Sequence, residues 1–179
     1  MRSLLFALLL STTTATYARL GETRDQSEAR YGLPKSERVA KGETPLLEGA
    51  RELTFHHEGF RIRCALLPAT DGREYVVRED YSRLKPTSKL TEIEQQAMME
   101  AELGGMKWAA VPKDDAKKVV TSLFLQELRG TPWLRTDGAL LVVSNNELAV
   151  RLELPQARKW ESQFQLARAQ QQRAAAPKF

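Results

Sequence analysis

This sequence contains few cysteine and histidine residues. The single cysteine excludes two classes of protein, and the two histidines restrict where a histidine-dependent mechanism could lie. Cys64 is the one cysteine among 179 residues, so the chain cannot form an internal disulfide and must be stabilised by packing. A lipid-anchored protein would carry a cysteine at its leader cleavage site, and none stands there. His56 and His57 are the two histidines, so any histidine-dependent mechanism must use this pair.

The sequence also lacks a large charge excess and the common catalytic motifs. The 27 basic and 23 acidic residues give a net charge of +4, and no Lys/Arg block contains interleaved aromatic residues, so nucleic-acid binding is not predicted. There is no Gly-x-Ser-x-Gly pattern of the serine hydrolases, and no histidine or cysteine spacing that demands a metal. The sequence therefore predicts no catalytic residue, no metal ligand and no cofactor.

The chain does contain an N-terminal segment of the kind that directs export. Its start is positively charged, Leu4–Leu10 is an almost unbroken apolar run, and small residues follow. This order predicts a signal peptide over residues 1–18, cut after Ala18, with a cut after Ala15 as the alternative. The apolar run is shorter than the roughly 20 residues that span a bilayer, so a retained anchor is the minority interpretation. We therefore expect a periplasmic or extracellular protein with no transmembrane segment.

Hydropathy patterns in residues 19–155 predict one α+β domain. Thr23 and Gln26 form a capping-box pattern ahead of a short helix over Arg24–Tyr31. The polar stretch Lys35–Gly49 is predicted to be a loop. Period-two alternation then predicts an antiparallel meander with one buried face, with its three strands around residues 53–55, 60–66 and 73–79.

Two further helices are predicted in the middle of the domain. Thr91 and Glu94 form a second capping-box pattern at the start of the first, whose apolar stripe includes Ile93 with Met98 beside it. Asp114 caps the second, which continues at helical spacing to Phe124, with strand as a minority interpretation of its β-branched centre. A short strand around residues 106–111 lies between the two helices.

A hairpin and a last helix complete the predicted fold. The apolar run at residues 139–143 and the alternating segment at 148–154 form the hairpin. Residues 156–179 form a C-terminal amphipathic helix and a frayed tail. The predicted fold class is thus α+β, an antiparallel sheet built from a meander and a hairpin with helices packed against it. No internal repeat is predicted.

Two groups of short motifs resemble a class of small exported bacterial proteins of uncharacterised function. The first contains Gly21-Glu22-Thr23, Arg30-Tyr31-Gly32 and Pro34, and the second contains Gly104-Gly105, Lys107-Trp108 and Asp137-Gly138. More distantly, a short helix that ends in Gly-x-Pro before a meander is similar to the outer-membrane assembly lipoproteins and the β-lactamase-inhibitor-like modules. That resemblance implies a module that binds proteins and performs no chemistry. The missing lipid-anchoring cysteine departs from the lipoprotein pattern.

Arginine and tryptophan residues are the candidates for binding. Arg61 and Arg63 lie on the outer face of their strand and are joined by Arg78, so this face is a candidate for an anionic partner. An ordinary solvated sheet face is the alternative interpretation. Trp108 and Trp133 are candidates for contacts with a protein or a sugar, with a place in the core as the alternative.

Two functional hypotheses follow from these residues. The first is an exported, non-catalytic module that binds a protein, a cell-envelope component or an anionic surface polymer. The second is a small hydrolase that uses His56 or His57 with a nearby carboxylate. Cys64 lies on an apolar strand face and is expected to pack in the core as a small hydrophobic residue.

Overall fold

A computed structural model describes residues 19–41, 45–103 and 105–175 of the chain. The predicted signal peptide and both of its alternative cleavage sites lie outside the described residues, as does the end of the tail. Within the described residues the α+β prediction is confirmed, because a single sheet of eight antiparallel strands carries five helices. The elements are α1 (Arg24–Tyr31), β1 (Ser36–Val39), β2 (Arg51–His57), β3 (Phe60–Pro68), β4 (Glu74–Arg83), α2 (Glu92–Ala101), β5 (Trp108–Ala110), α3 (Lys113–Val119), α4 (Leu123–Gln126), β6 (Thr131–Arg135), β7 (Leu140–Val143), β8 (Ala149–Glu153) and α5 (Pro155–Ala175).

The sheet consists of two four-stranded meanders joined at its centre. Its strand order is β1-β2-β3-β4-β8-β7-β6-β5, so β4 and β8 are the central pair. Their register runs from Arg78 opposite Glu153 to Ser82 opposite Ala149. Each meander follows a capped helix, and only the second is interrupted by α3 and α4. The same order of elements thus occurs twice, although the sequence predicted no repeat.

Both capping boxes predicted from the sequence are present. The Thr23 hydroxyl accepts a hydrogen bond from the Gln26 amide, and the Gln26 side chain accepts one from the Thr23 amide at 2.8 Å. Thr91 and Glu94 form the same reciprocal pair at the start of α2. Each box satisfies two amide groups that the first turn of a helix leaves without intrahelical partners.

Helices cover both faces of the sheet, which we call the α1–α2 face and the α4–α5 face. Tyr31 from α1 and Met98 from α2 are buried among the side chains of the first face. Phe124 and Leu125 from α4, with Ala157 from α5, are buried on the second. The prediction that the first meander buries a single face is therefore wrong, because Ala65 and Leu67 of β3 pack on the α4–α5 side. No helix in the described parts of the chain is long and apolar enough to cross a bilayer.

Three local predictions differ from the structure. Part of the predicted loop at 35–49 forms β1, which extends the sheet by pairing with β2. Ile93 is 82% exposed, and α2 instead contacts the core through Met98. The predicted third helix is two helices, and Pro112 rather than Asp114 precedes the first of them. The chain turns at Val120 so that Phe124 and Leu125 reach the sheet, and tertiary burial here overrides the local helical pattern.

Candidate functional site

The α4–α5 face carries two rows of polar side chains across four adjacent strands, β2, β3, β4 and β8. Residues that lie directly opposite each other on antiparallel strands have neighbouring side chains on the same face. The register of β2, β3, β4 and β8 aligns Thr54, Arg63, Asp80 and Arg151 in one row and Glu52, Ala65, Arg78 and Glu153 in the other. Charged residues from four strands therefore meet at the centre of the sheet.

In the first row, two guanidinium groups flank one carboxylate. Arg151 Nε lies 3.2 Å from Asp80 Oδ2, and Arg63 Nη1 lies 3.9 Å from the same oxygen. Arg63 also donates to Glu52 Oε1 at 2.9 Å. Asp80 is 7% exposed, and burial raises the pKa of its carboxyl group while the two arginines oppose that change.

In the second row, Arg78 is 1% exposed, and both of its terminal nitrogens contact oxygen atoms of other residues. Its Nη2 lies 2.8 Å from Glu153 Oε2 and 2.8 Å from Glu161 Oε2, and Nη1 donates to the Leu46 carbonyl at 2.9 Å. A register shift between β3 and β4 leaves Val77 without an opposite residue on β3. As a result, the side chains of Val77 and Arg78 both lie on this face. Burial raises the pKa of the Glu153 carboxyl group against the opposing effect of Arg78.

A pocket of about 380 Å³ opens between these rows and the helices. We call it the arginine pocket and define it by Arg63, Arg78, Leu123, Phe124, Arg151 and Phe164. The guanidinium carbons of Arg78 and Arg151 lie 4.7 and 4.6 Å from the centre of the Phe124 ring, which places both cations over an aromatic wall. Leu123 is 56% exposed at the rim.

Three buried polar atoms of the rows lack hydrogen-bond partners among the described residues. They are Arg78 Nε, Asp80 Oδ1 and Glu153 Oε2, whose contact with Arg78 is an ion pair without hydrogen-bond geometry. A buried polar group left without a partner costs about 1–3 kcal/mol. The chain's own described groups therefore do not satisfy the full hydrogen-bonding capacity at the base of this pocket.

The structure divides the predicted binding residues between the two faces. Arg61 is exposed on the α4–α5 face, where its Nη2 donates to Ser82 Oγ at 3.2 Å, and Arg63 and Arg78 line the arginine pocket. Trp108 and Trp133 instead lie half-buried against the core of the α1–α2 face. The arginines are thus brought together, and the tryptophans do not join them.

Trp108 is held in place by two polar contacts on its own face. Its indole N–H donates to the Met99 carbonyl at 3.0 Å, and the Arg135 guanidinium lies over its ring at 5.3 Å. Because the indole N–H is already used, Trp108 offers a ligand the remaining edge of its ring rather than a free donor.

The two histidines sit at the end of the β2–β3 hairpin. His57 Nε2 lies 3.8 Å from Glu58 Oε1, and its ring meets that of Tyr31 at 5.2 Å. The Glu58 carboxylate is exposed on a turn where the backbone φ is 48°. No group of three histidine, cysteine or acidic residues within the described ranges has a metal-binding arrangement. The histidine–carboxylate pair therefore lies on an open turn.

Cys64 is buried on the α1–α2 face, as the sequence predicted. Its Sγ lies 3.7 Å from Glu79 Oε1, and burial raises the pKa of the thiol. A thiol in such surroundings is a poor nucleophile, because the thiolate is the reactive form.

Sequence reasoning missed most of the charged residues of the site. Arg151 and Glu153 alternate with apolar residues along β8, so their common face could have been inferred from period two. Asp80 and Glu161 gave no such signal, because their positions depend on strand register and helix docking. We compared the chain with protein-family models, with curated proteins and with solved structures, and none of the three comparisons found a match.

Proposed function

We propose that this chain is an exported, non-catalytic module that binds a protein of the cell envelope. In this proposal the arginine pocket receives an acidic residue of the partner together with an adjacent apolar residue. One observation carries the proposal. The side chains of Arg63 and Arg151 remain 19% and 18% exposed at the pocket, whereas their partner carboxylates, Glu52 and Asp80, are buried.

A ligand inside the pocket therefore meets the N–H donors of Arg63 and Arg151 rather than the buried oxygens of Glu52 and Asp80. Guanidinium groups hold carboxylates through paired, charge-assisted hydrogen bonds, which suits them to an acidic side chain. Leu123 and Phe124 supply an apolar surface beside these donors. The combination fits an acidic residue whose neighbour is apolar.

Acidic residues at the same pocket favour a protein over an anionic polymer. Glu127 is exposed at the rim, where its carboxylate lies 3.5 Å from Arg151 Nη1, and Glu161 reaches Arg78. These carboxylates would repel a chain with closely spaced negative charges, but they tolerate one carboxylate flanked by apolar groups. A polypeptide can present that arrangement.

The hydrolase hypothesis has weaker geometric support. It requires a cleft that holds a histidine and a carboxylate within hydrogen-bond reach. His57 and Glu58 are 3.8 Å apart on an exposed turn instead. The geometry of the arginine pocket therefore supports the binding hypothesis better than that of the histidine turn supports the hydrolase hypothesis.

A displayed library of random peptides tests the binding proposal. Selection against the wild-type protein, with counter-selection against Leu123→Asp, should enrich peptides in which Asp or Glu adjoins an apolar residue. Ile93→Asp is the matched control, because Ile93 is more exposed than Leu123 and lies on α2, away from the pocket. Peptides that bind all three proteins equally, or a basic consensus, would contradict the proposal.

Export is proposed from the sequence and needs its own test. The full chain should be expressed with its natural leader in a Gram-negative bacterial host, and the periplasm, medium and cytoplasm assayed separately. We expect a product outside the cytoplasm with the mass of residues 19–179. A full-length product that stays in the cytoplasm would contradict export.

A further inference from the structure

Three carboxylates are buried on the α1–α2 face, away from the arginine pocket. They belong to Glu22, Glu79 and Glu102. Glu79 is near the Tyr81 hydroxyl, which lies 3.3 Å from its Oε2. Glu102 Oε2 accepts a hydrogen bond from the Leu20 amide at 3.0 Å. The other Glu102 oxygen, Oε1, is buried and has no hydrogen-bond partner among the described residues.

The Arg135 guanidinium lies near the Glu102 carboxylate but donates its hydrogen bonds to other groups. Arg135 Nη1 lies 4.0 Å from Glu102 Oε2 and donates to the carbonyl oxygen of Glu102 rather than to its carboxylate. The other nitrogens of Arg135 donate to Asp137 at 2.9 and 2.8 Å. Burial raises the pKa of the Glu102 carboxyl group to about 8. This carboxylate therefore lacks a well-placed cation.

Residues 19–22 are fixed beside Glu102 by backbone hydrogen bonds. Gly21 N donates to the Val76 carbonyl at 2.8 Å, and Val76 N donates to the Glu22 carbonyl at 2.8 Å. The Glu22 amide closes a turn by donating to the Arg19 carbonyl at 3.0 Å. The position of the Leu20 amide, and with it that of Arg19, is thus determined by β4.

Covalent geometry limits how far the Arg19 nitrogen lies from the carboxylate. Three bonds separate the nitrogens of adjacent residues, which places them at most about 3.7 Å apart. Since the Leu20 amide is 3.0 Å from Glu102 Oε2, the Arg19 nitrogen lies within about 7 Å of that oxygen. The Arg19 side chain is exposed, so this end of the segment remains accessible.

We infer that cleavage after Ala18 creates an α-ammonium group at Arg19 that pairs with the buried Glu102 carboxylate. The inference rests on the proposed export. In the cleavage step water adds across the Ala18–Arg19 peptide bond, leaving a carboxylate on Ala18 and an ammonium on Arg19. The new group brings a positive charge and three N–H donors to a carboxylate that has an unpartnered oxygen. An amine created by a cut after Ala15 stands three residues further away along the chain.

The pair makes the processed chain more stable than its precursor. A peptide nitrogen at Arg19 carries no charge, so the precursor keeps Glu102 buried without that partner. Removal of the leader therefore completes the fold on the α1–α2 face, and a less stable precursor suits a chain that must cross a membrane before it folds.

The α-amine pKa of a chain that starts at Arg19 tests this inference. That chain contains every helix and strand the structure describes, and it can be prepared by a protease that leaves no extra residue. NMR titration should give an α-amine pKa at least one unit above the usual value of about 7.7–8.0, because a nearby carboxylate favours the charged amine. The shift should disappear in Glu102→Gln and persist in Glu100→Gln, an exposed control in the last turn of α2, which Glu102 follows. An ordinary pKa, or one unaffected by Glu102→Gln, would overturn the inference.

A second measurement covers the case in which Glu102→Gln fails to fold. The carboxyl pKa of Glu102 should be lower in the chain with a free Arg19 amine than in the same chain acetylated there and in the full chain 1–179. Equal values would overturn the inference. Because these chains are made directly, the result does not depend on export. Sequencing of the exported protein separately locates the natural cut, and a natural N-terminus other than Arg19 would also overturn the inference.

Discussion

Arg78 Nη2 lies 2.8 Å from Glu153 Oε2, at the point where the two meanders of the sheet meet. Both side chains are buried, so this ion pair joins the halves of the molecule in a region of low dielectric constant. A buried pair gains little net stability over well-packed apolar residues, but removal of one partner leaves an uncompensated charge. The sheet therefore depends on both residues being present together.

The first prediction concerns this pair. We expect Arg78→Ala to lower the free energy of unfolding by about 3 kcal/mol, because the buried Glu153 loses its shorter ion pair and keeps the longer one, to Arg158 Nη1 at 3.3 Å. Arg78→Met combined with Glu153→Leu should recover most of that loss. Urea unfolding of the single and double variants measures both effects. A loss below about 1 kcal/mol in Arg78→Ala would show that the pair is solvated.

The second prediction is a pH dependence caused by Glu79. Burial raises the pKa of this carboxyl group well above its usual value, and the neighbouring Glu102 and Glu22 raise it further. A raised folded pKa means that the contribution of Glu79 to stability is complete below its unfolded pKa of about 4.3 and declines as the pH rises toward the folded pKa. Because the folded state then binds a proton that the unfolded state has lost, stability should fall as the pH rises from 5 to 7.

Glu79→Gln isolates that effect, because the amide stays neutral across the range. Urea unfolding at pH 5 and pH 7 should show a smaller loss in Glu79→Gln than in the wild type. Glu100→Gln, which changes an exposed residue, should keep the wild-type slope. A wild-type slope in Glu79→Gln would mean that Glu79 is ionised in the folded protein.

The third prediction concerns the close approach of Gly130 to β7. A Cβ atom at this position would lie 1.7 Å from the Val143 carbonyl oxygen and 2.6 Å from its carbon, so the backbone itself would have to move. Gly130→Ala should therefore destabilise the protein far more than Gly72→Ala, where a Cβ meets nothing within 4 Å and only the positive φ of 79° is unfavourable, by about 1–2 kcal/mol. Thermal unfolding measures both variants, and equal losses would refute the close approach.

The fourth prediction tests the orientation of α2. Met98→Ala should cost about 2–5 kcal/mol, the usual range for a buried methionine, whereas Ile93→Asp should change stability little. The apolar pattern alone placed both residues near the core. A large loss in Ile93→Asp would mean that α2 is rotated from the observed position.

Local signals predicted the elements well. The capping boxes at Thr23 and Thr91 set the starts of α1 and α2, because reciprocal hydrogen bonds to the first turn depend only on residues three apart. Alternation located β2, β3, β4 and β8, because side chains on the same face of a strand recur at every second residue.

Properties that depend on distant parts of the chain were not predictable. The edge strand β1 is exposed along its length and shows no apolar alternation, so its sequence resembles a loop. The arginine pocket requires the register of four strands and the docking of α5, and Arg78 meets Glu161 across 83 positions of sequence. The period-two pattern placed Arg61 and Arg63 on one face of β3. It could not show that Asp80 and Phe124 lie near that face, because their positions depend on strand register and helix docking.

NMR titration with a peptide selected from the library tests the binding account most directly. We expect the side-chain Nε–H signals of Arg63 and Arg151 to shift on binding, while the indole N–H signals of Trp108 and Trp133 stay in place. Leu123→Asp should weaken binding at least tenfold, and Ile93→Asp should leave it unchanged. Shifts confined to the tryptophan signals would contradict the account and place the binding surface on the α1–α2 face.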